Sequence, residues 1–235
     1  MKPPSVVFFD VGGTLLEVSP SVGHVYAGAC EALGHAVDPG RVQRAFDLAW
    51  MTLSKEVPRG ADRYRLFPGG ETGWWERVSS FAFEQCGVPP SARPPLAELR
   101  AVFAGAGAWR VFPETREALA ELARRGHRLA VLSNWDSRLP MLLDTLGLRH
   151  HFEVIVHSAE AGFEKPHRGI FDAALRAMAV GPADAIHIGD RYEEDFAGAR
   201  SAGLRALLVS RDEADTPAGE HRVSDLNEAV VRIVS

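Results

Sequence analysis

A short apolar run that ends at a carboxylate and two glycines constrains this chain more than any other stretch. Residues 6–9 are two valines and two phenylalanines, too few for a helix but typical of a strand buried on both faces of a parallel sheet. Asp10 follows directly. Ligands of open α/β sheets bind at the carboxyl ends of the strands, so this stretch predicts a functional carboxylate on a rigid support.

The residues after Asp10 predict a loop that binds an anion. Gly12 and Gly13 allow positive φ angles and a close approach of backbone N–H groups to a ligand, and Thr14 adds a hydroxyl donor. The alternative interpretation is an ordinary Asp-Gly-Gly turn without a ligand. The other motifs of the chain are needed to distinguish an anion-binding loop from an ordinary turn.

Buried strands alternate with helical patterns through the second half of the chain. The further apolar runs that predict strands are 128–133, 152–156, 185–188 and 204–209. Together with residues 6–9 they predict five parallel strands in a three-layer, Rossmann-like α/β sheet with right-handed crossovers.

Residues 19–105 interrupt this alternation with helical patterns only. Asp38-Pro39 predicts a helix start, because Asp caps a helix and Pro is favoured at its first position. Residues 57–73, rich in Pro and Gly, predict an irregular loop whose cations include Arg63. We therefore predict an α/β core over 1–18 and 106–235 and an inserted helical domain over 19–105.

Composition excludes several classes of protein. A net charge of −5 without a basic cluster argues against nucleic acid as a partner. No apolar run approaches the length of a membrane span, and the two cysteines lack companions at metal-binding spacing. We expect a cytoplasmic protein, not inserted in a membrane, with reduced thiols. A monomer and a dimer both remain open.

Polar side chains at the predicted strand ends converge on one edge of the sheet. They are Asp10, Ser133 and Asp190, with Lys165 in a loop after the third strand. Two carboxylates at close range repel each other unless a cation lies between them, so the pair predicts a site for Mg²⁺. Asp195 would either hold a metal-bound water or orient Lys165. Mg²⁺, Lys165, Ser133 and loop amides would then hold a phosphoryl group while Asp10 attacks phosphorus.

In this order the motifs resemble those of the haloacid dehalogenase (HAD) superfamily. The motifs are Asp10-Val11-Gly12-Gly13-Thr14, Ser133-Asn134, Lys165-Pro166 and Gly189-Asp190 with Asp195. The helical insertion between the first two resembles a C1 cap. The resemblance implies an Mg²⁺-dependent hydrolase, a phosphatase acting on a small phosphorylated metabolite through an aspartyl-phosphate.

The residues expected to act in this site fall into three groups. Asp10 and Lys165 are the predicted catalytic residues. The predicted phosphate or substrate contacts are Gly12, Gly13, Thr14, Ser133, Asn134, Lys165 and Arg63. The predicted Mg²⁺ ligands are Asp10, Asp190, Asp195 and, as the resemblance implies, the backbone carbonyl of Gly12.

Position 12 departs from the pattern of the family. Phosphatases that this chain resembles usually carry there a second Asp that protonates the leaving group, whereas this chain has Gly12. The loss predicts weak hydrolysis of alkyl phosphates and measurable hydrolysis of aryl phosphates, whose leaving groups need no proton. It also predicts a faster reaction of alkyl phosphates in Gly12→Asp, unless another acid such as Asp136 already supplies the proton.

Three other functions compete with the phosphatase hypothesis. A HAD-like protein with little or no turnover could use its helical surface to bind a partner. The 2-haloacid dehalogenases also lack the second Asp, but they typically have Tyr at that position and an Asn-containing fourth motif. The phosphate loop of actin-like sugar kinases also resembles Asp10–Thr14, but Ser19-Pro20 here precedes a helix instead of a hairpin strand.

Overall fold

The computed structural model describes residues 3–211, 219 and 221–235. Its chain divides into two compact units. One comprises Met1–Glu17 and Val111–Ser235, and the other comprises Val18–Arg110.

A parallel six-stranded sheet forms the centre of the first unit. Its strands are β1 (Val6–Phe9), β4 (Arg128–Ser133), β5 (Val154–His157), β6 (Ala185–Gly189), β7 (Arg205–Val209) and β8 (Arg222–Val223). They lie in the order β5-β4-β1-β6-β7-β8, with every neighbouring pair parallel. The predicted α/β class is thus confirmed. The prediction of five strands missed β8, because two residues are too few to show a strand periodicity.

Helices cover both faces of this sheet. They are α6 (Thr115–Arg124), α7 (Leu139–Thr145), α8 (Ser158–Ala161), α9 (Arg168–Ala177), α10 (Gly198–Ser201) and α11 (Leu226–Val234). On one face Phe8 packs in a cluster with Phe171 of α9. Phe9 points the other way, with its ring centroid 6.2 Å from that of Phe152. All four residues of β1 are fully buried, which confirms a strand covered on both faces.

The second unit is helical. Its helices are α1 (Val22–Ala32), α2 (Pro39–Ser54), α3 (Arg63–Leu66), α4 (Gly70–Gln85) and α5 (Leu96–Ala104). The predicted cap of α2 is present, since the Asp38 side chain accepts a hydrogen bond of 2.7 Å from the amide of Arg41. A two-stranded sheet of β2 (Leu16–Val18) and β3 (Trp109–Val111) lies where the chain passes between the units.

The prediction of an irregular loop through residue 73 is wrong at both of its helical segments. Arg63–Leu66 forms α3, capped by the Asp62 side chain. Helix α4 begins at Gly70, so the glycines that indicated a loop belong to a helix start. Gly69 adopts a left-handed conformation there, and a Cβ on Gly73 would lie 1.9 Å from the carbonyl oxygen of Pro68. Glycine is therefore needed for close packing of the turn.

None of the helices in the described residues combines the length and the apolar character that crossing a membrane would require.

Candidate active site

The carboxylate of Asp10 is held by two donors from other parts of the chain. Asp10 follows β1, between the neighbouring strands β4 and β6. The hydroxyl of Ser133, at the end of β4, donates to its Oδ1 at 2.8 Å. Nζ of Lys165 donates to the same oxygen at 2.7 Å. No donor from the described residues reaches Oδ2, so this oxygen is available to attack a substrate or to bind a cation.

Lys165 joins Asp10 to Asp195 inside the protein. Its Nζ lies 2.5 Å from Asp195 Oδ1. Burial alone would lower the pKa of Lys165, but the carboxylates of Asp10 and Asp195 outweigh burial and raise it. Burial likewise opposes ionisation of Asp195, but Lys165 and His187 outweigh it and lower its pKa. The pair is therefore charged near neutral pH.

Asp190 has the opposite environment. It follows Gly189 at the end of β6, and burial, with repulsion from Asp10 and Asp195, raises its pKa to about 8. Its Oδ1 is buried and has no hydrogen-bond partner among the described residues. A buried carboxylate without a donor is unfavourable, which indicates that a cation completes its environment.

The donor set fits Mg²⁺. Asp10, Asp190 and Asp195 each offer a carboxylate oxygen within 4.8 Å of the others. These are oxygen ligands, which Mg²⁺ prefers. Of the three carboxylates, Asp195 has both oxygens hydrogen-bonded within the protein. Its Oδ1 binds Lys165 and His187, and its Oδ2 accepts from the amide of Arg191 at 2.9 Å. The structure thus gives Asp195 the role of orienting Lys165, one of its two predicted roles.

Two glycines make room for these carboxylates. Gly13 has φ of +76°, and a Cβ there would lie 2.3 Å from Oδ2 of Asp190. A Cβ on Gly189 would lie 2.2 Å from Cγ of Asp195. Both distances are far below van der Waals contact, so any side chain at either position would displace an acidic group of the site.

In the predicted phosphate loop, some of the expected backbone donors already form hydrogen bonds within the loop. The amide of Gly13 donates to the carbonyl of Leu16 at 2.8 Å, and that of Thr14 donates to Val11 at 3.3 Å. The Thr14 hydroxyl is buried and has no hydrogen-bond partner among the described residues. The amides of Val11 and Gly12 donate to none of the described residues, so they are the loop donors available for an anion.

Asn134, predicted to contact phosphate, binds the backbone of Lys165 on both sides. Its Nδ2 donates to the Lys165 carbonyl at 3.0 Å, and its Oδ1 accepts from the Lys165 amide at 2.6 Å. Nδ2 also lies 3.4 Å from Oε2 of Glu194. These bonds fix where the ammonium group of Lys165 can reach, so the structure gives Asn134 a positioning role.

Asp136 is a poor substitute for the missing acid. Its side chain is fully buried and is bound by the guanidinium of Arg138, with contacts of 2.5 and 3.0 Å to its two oxygens. The guanidinium group of Arg138 thus occupies both oxygens of this carboxyl group. The hypothesis that Asp136 supplies a proton to the leaving group therefore loses its support.

Arg63 belongs to the helical unit. Its guanidinium lies over the rings of Trp50 and Trp74, at 4.4 and 5.1 Å from their centroids, and donates to the hydroxyl of Ser54 at 3.2 Å. Trp74 is fully buried, as expected for a core residue. A contact of Arg63 with substrate stays a prediction.

Sequence reasoning missed two residues that form hydrogen bonds with site residues, His187 and Arg211. His187 lies in β6 and its Nε2 is 2.9 Å from Oδ1 of Asp195. Burial lowers the pKa of this histidine. The available signal was a polar residue inside an apolar strand, since a buried polar group needs a partner. Arg211 donates to the carbonyl of Thr14 at 3.1 Å, and nothing in the sequence indicated that contact.

The predicted helix after Asp190 begins differently from its prediction. Residues Tyr192–Ala197 form a π-helical turn, and the α-helix covers only Gly198–Ser201. Single π turns are frequent at functional sites. Here the turn contains Asp195, whose carboxylate binds the amide of Arg191 just before it. A regular 3.6-residue periodicity could not have indicated it.

Comparison with known proteins agrees with this geometry. A family model described as haloacid dehalogenase-like hydrolase matches residues 4–203. Haloacid dehalogenase-like hydrolase domain-containing protein 3 of Bos taurus is 37% identical over 89% of this chain and 83% of that protein. A phosphoserine phosphatase of Thermus thermophilus is 39% identical over 65% of this chain and 62% of that protein.

A solved structure resembles the whole chain. It is that of YfnB of Bacillus subtilis, described as a HAD-hydrolase bound to magnesium, with a TM-score of 0.74 at 17% identity over 100% of both chains. At this identity the likeness concerns the fold alone. The family model, in contrast, matches well over half of the sequence. The chain therefore belongs to the haloacid dehalogenase-like hydrolase family.

Proposed function

We propose that this hydrolase is an Mg²⁺-dependent phosphatase that acts on a small phosphorylated metabolite through an aspartyl-phosphate on Asp10. The observation that carries the proposal is the meeting of Asp10, Lys165, Asp190 and Asp195 at one sheet edge. The similarity to a phosphoserine phosphatase supports the reaction class, and the cluster of three carboxylates supports the choice of ion.

The first step uses the free oxygen of Asp10. Ser133 and Lys165 hold Oδ1, so Oδ2 is oriented toward an incoming phosphorus. The ammonium of Lys165 neutralises charge on the phosphoryl oxygens, and the unbound amides of Val11 and Gly12 add donors. The bond from phosphorus to the leaving oxygen breaks, and the phosphoryl group remains on Asp10.

Water completes the reaction by attacking the aspartyl-phosphate, which releases inorganic phosphate and restores the carboxylate. Mg²⁺, held by Asp10 and Asp190 with Asp195 beside them, would supply positive charge for the phosphoryl oxygens. Residue 12 carries no side chain that could activate this water. We therefore expect the second step to be slow and the phosphoenzyme to accumulate.

Steady-state hydrolysis of p-nitrophenyl phosphate with and without Mg²⁺ tests the proposal, with Asp10→Asn as the matched variant. We expect Asp10→Asn to lower kcat at least about 10³-fold, because an amide oxygen is not a comparable nucleophile. Acid-quenched wild-type protein should carry one labile phosphoryl group per chain, and Asp10→Asn should carry none.

An absence of Mg²⁺-dependent turnover, with Asp10→Asn indistinguishable from wild type, would instead favour a HAD-like protein that only binds a partner. The replacement of the usual second Asp by Gly12 is the observation that keeps this alternative open. Release of halide from a 2-haloacid, dependent on Asp10, would favour the dehalogenase alternative. A panel of phosphorylated metabolites, with Asp10→Asn as the background, then narrows the substrate.

A further inference from the structure

The missing side chain at position 12 faces an indole ring. A Cβ placed on Gly12 would lie 3.3 Å from Cζ3 of Trp135, closer than an ordinary carbon contact of about 3.5–4.0 Å. Trp135 itself is half-buried. The space that an acidic side chain would enter from position 12 is therefore bordered by the six-membered ring of Trp135.

This ring lies beside the loop that follows the nucleophile Asp10. Asp10 and Gly12 lie two residues apart in the loop that follows β1. Trp135 comes two residues after Ser133, whose hydroxyl binds Asp10. The two segments follow the neighbouring parallel strands β1 and β4. Position 12 and the indole of Trp135 thus lie together, each two residues from a member of the hydrogen-bonded pair Asp10 and Ser133.

The backbone of Trp135 is held in place. Its carbonyl oxygen accepts a hydrogen bond from the amide of Ala159 at 3.2 Å and one from the hydroxyl of Ser158 at 3.2 Å. Both donors belong to α8. A rigidly held aromatic face loses little conformational entropy when a flat ligand packs on it.

We propose that Trp135 is a specificity-determining residue that selects phosphate monoesters of aromatic alcohols by packing its indole against the aryl leaving group. The inference rests on the proposed phosphatase function and names its substrate class. Gly12 has no side chain that would separate the indole from the leaving group, and an acidic side chain at position 12 would press against the indole.

The chemistry of such esters matches a site without an acid at position 12. An oxygen of Asp10 attacks phosphorus, the ester P–O bond breaks, and its electron pair leaves on the aryl oxygen. The resulting aryl oxyanion is stabilised by its ring and takes its proton later from solvent. An alkoxide from an alkyl ester is far more basic and needs a proton as the bond breaks.

The first experiment measures kcat/KM with Mg²⁺ for phenyl phosphate and ethyl phosphate in wild type, Trp135→Phe and Trp135→Leu. We expect Trp135→Leu to lower kcat/KM for phenyl phosphate about 3- to 10-fold, the size of one aromatic contact, with less than a twofold change for ethyl phosphate. Trp135→Phe retains a ring and should stay within about twofold of wild type. Equal losses on both substrates would show a merely structural role and overturn the proposal.

The second experiment tests whether the indole occupies the place of the acid. The indole next to position 12 revises the expectation that Gly12→Asp by itself speeds the reaction of alkyl phosphates, because the new side chain would meet the ring. We expect Gly12→Asp alone to give no gain on ethyl phosphate, and Gly12→Asp combined with Trp135→Ala to gain at least about tenfold over Trp135→Ala. Thermal unfolding of each variant checks that it is folded. A full gain in Gly12→Asp alone would mean that the indole does not block this position, contrary to the proposal.

Binding separates a failure of this inference from a failure of the phosphatase proposal. Titration of Mg²⁺-loaded protein with phenylphosphonate and ethylphosphonate needs no turnover. A preference for phenylphosphonate that is lost in Trp135→Leu supports the aromatic subsite even if p-nitrophenyl phosphate is not hydrolysed. Turnover that depends on Asp10, together with equal binding of both phosphonates, would refute the role of Trp135 and leave the phosphatase proposal intact.

Discussion

At the scale of single residues, the surroundings of Asp190 disfavour its ionised form. Its carboxyl is largely buried, lies near Asp10 and Asp195, and has one oxygen without a partner among the described residues. Lys165 forms ion pairs with Asp10 and Asp195 but not with Asp190. Carboxyl groups perturbed in this way are typical of functional sites, and the proposed cation would offset the unfavourable charge.

Replacing this carboxyl should therefore stabilise the metal-free protein. The folded-state pKa of about 8 lies above the ordinary value of 3.8, so the charge costs stability increasingly as the pH rises from about 4, and fully above about 8. We expect Asp190→Asn to gain at least about 1 kcal/mol at pH 8, or roughly 2–4 °C in Tm, in the presence of a chelator. Thermal unfolding at pH 4 and pH 8 measures it.

The gain of Asp190→Asn should shrink at pH 4, where Asp190 is protonated in the folded protein. The same variant should be inactive with Mg²⁺ present. A lower Tm of Asp190→Asn than of wild type at pH 8 without metal would contradict the interpretation that this charge is unfavourable.

At the scale of elements, two strand ends carry glycine because a carboxylate occupies the adjacent space. The loop after β1 contains Gly13 beside Asp190, and the end of β6 is Gly189 beside Asp195. Backbone and carboxylates are thus packed as one unit, in which the loop amides at 13 and 14 bind within their own turn. The sequence predicted Gly13 as part of a phosphate loop and Gly189 as part of the Gly189-Asp190 motif, and it missed their role in making room for acids.

Gly13→Ala should separate loss of function from loss of stability. A Cβ at a φ of +76° strains the backbone by about 1 kcal/mol or more and overlaps Asp190 Oδ2. We expect kcat to fall at least about 10²-fold and Mg²⁺ to bind more weakly. The matched control is Gly126→Ala, with φ of +85° but no heavy atom within 4 Å of its Cβ. It should lose similar stability and keep its activity, whereas equal activity of the two variants would argue against the overlap.

At the scale of the whole molecule, the sheet brings together side chains from distant positions. Lys165 and Asp10 are 155 residues apart in sequence, and Ser133 and Asp10 are 123 apart. Because the proposed cation would join segments that meet only in the folded chain, its binding should stabilise the fold as a whole.

We therefore expect the Tm of wild type to rise with Mg²⁺, because the free energy of unfolding should increase by about 1.4 kcal/mol for each tenfold increase in free ion above its dissociation constant. Asp190→Asn should show almost no rise. Asp144→Asn, which removes an exposed carboxyl far along the chain, serves as the charge control and should respond like wild type. Equal rises in all three proteins would point to nonspecific ion binding. Differential scanning calorimetry over a series of Mg²⁺ concentrations makes the comparison.

The sequence alone determined most of the core elements and which polar residues follow the strands. Buried runs, helix caps and polar strand ends are local signals, so β1, the start of α2 and the order of the motifs could be predicted. The family followed from that order. Local signals are strongest where one element buries its own apolar face.

The tertiary structure determined which groups the side chains of the site contact. Only the folded chain pairs Asp136 with Arg138, gives the amide of Asn134 to Lys165, and sets the indole of Trp135 against Gly12. These contacts depend on side-chain directions that are set by the packing of neighbouring strands and loops. Sequence periodicity states which side of an element is buried, but the identity of the atom across a gap of 3 Å depends on the packed structure.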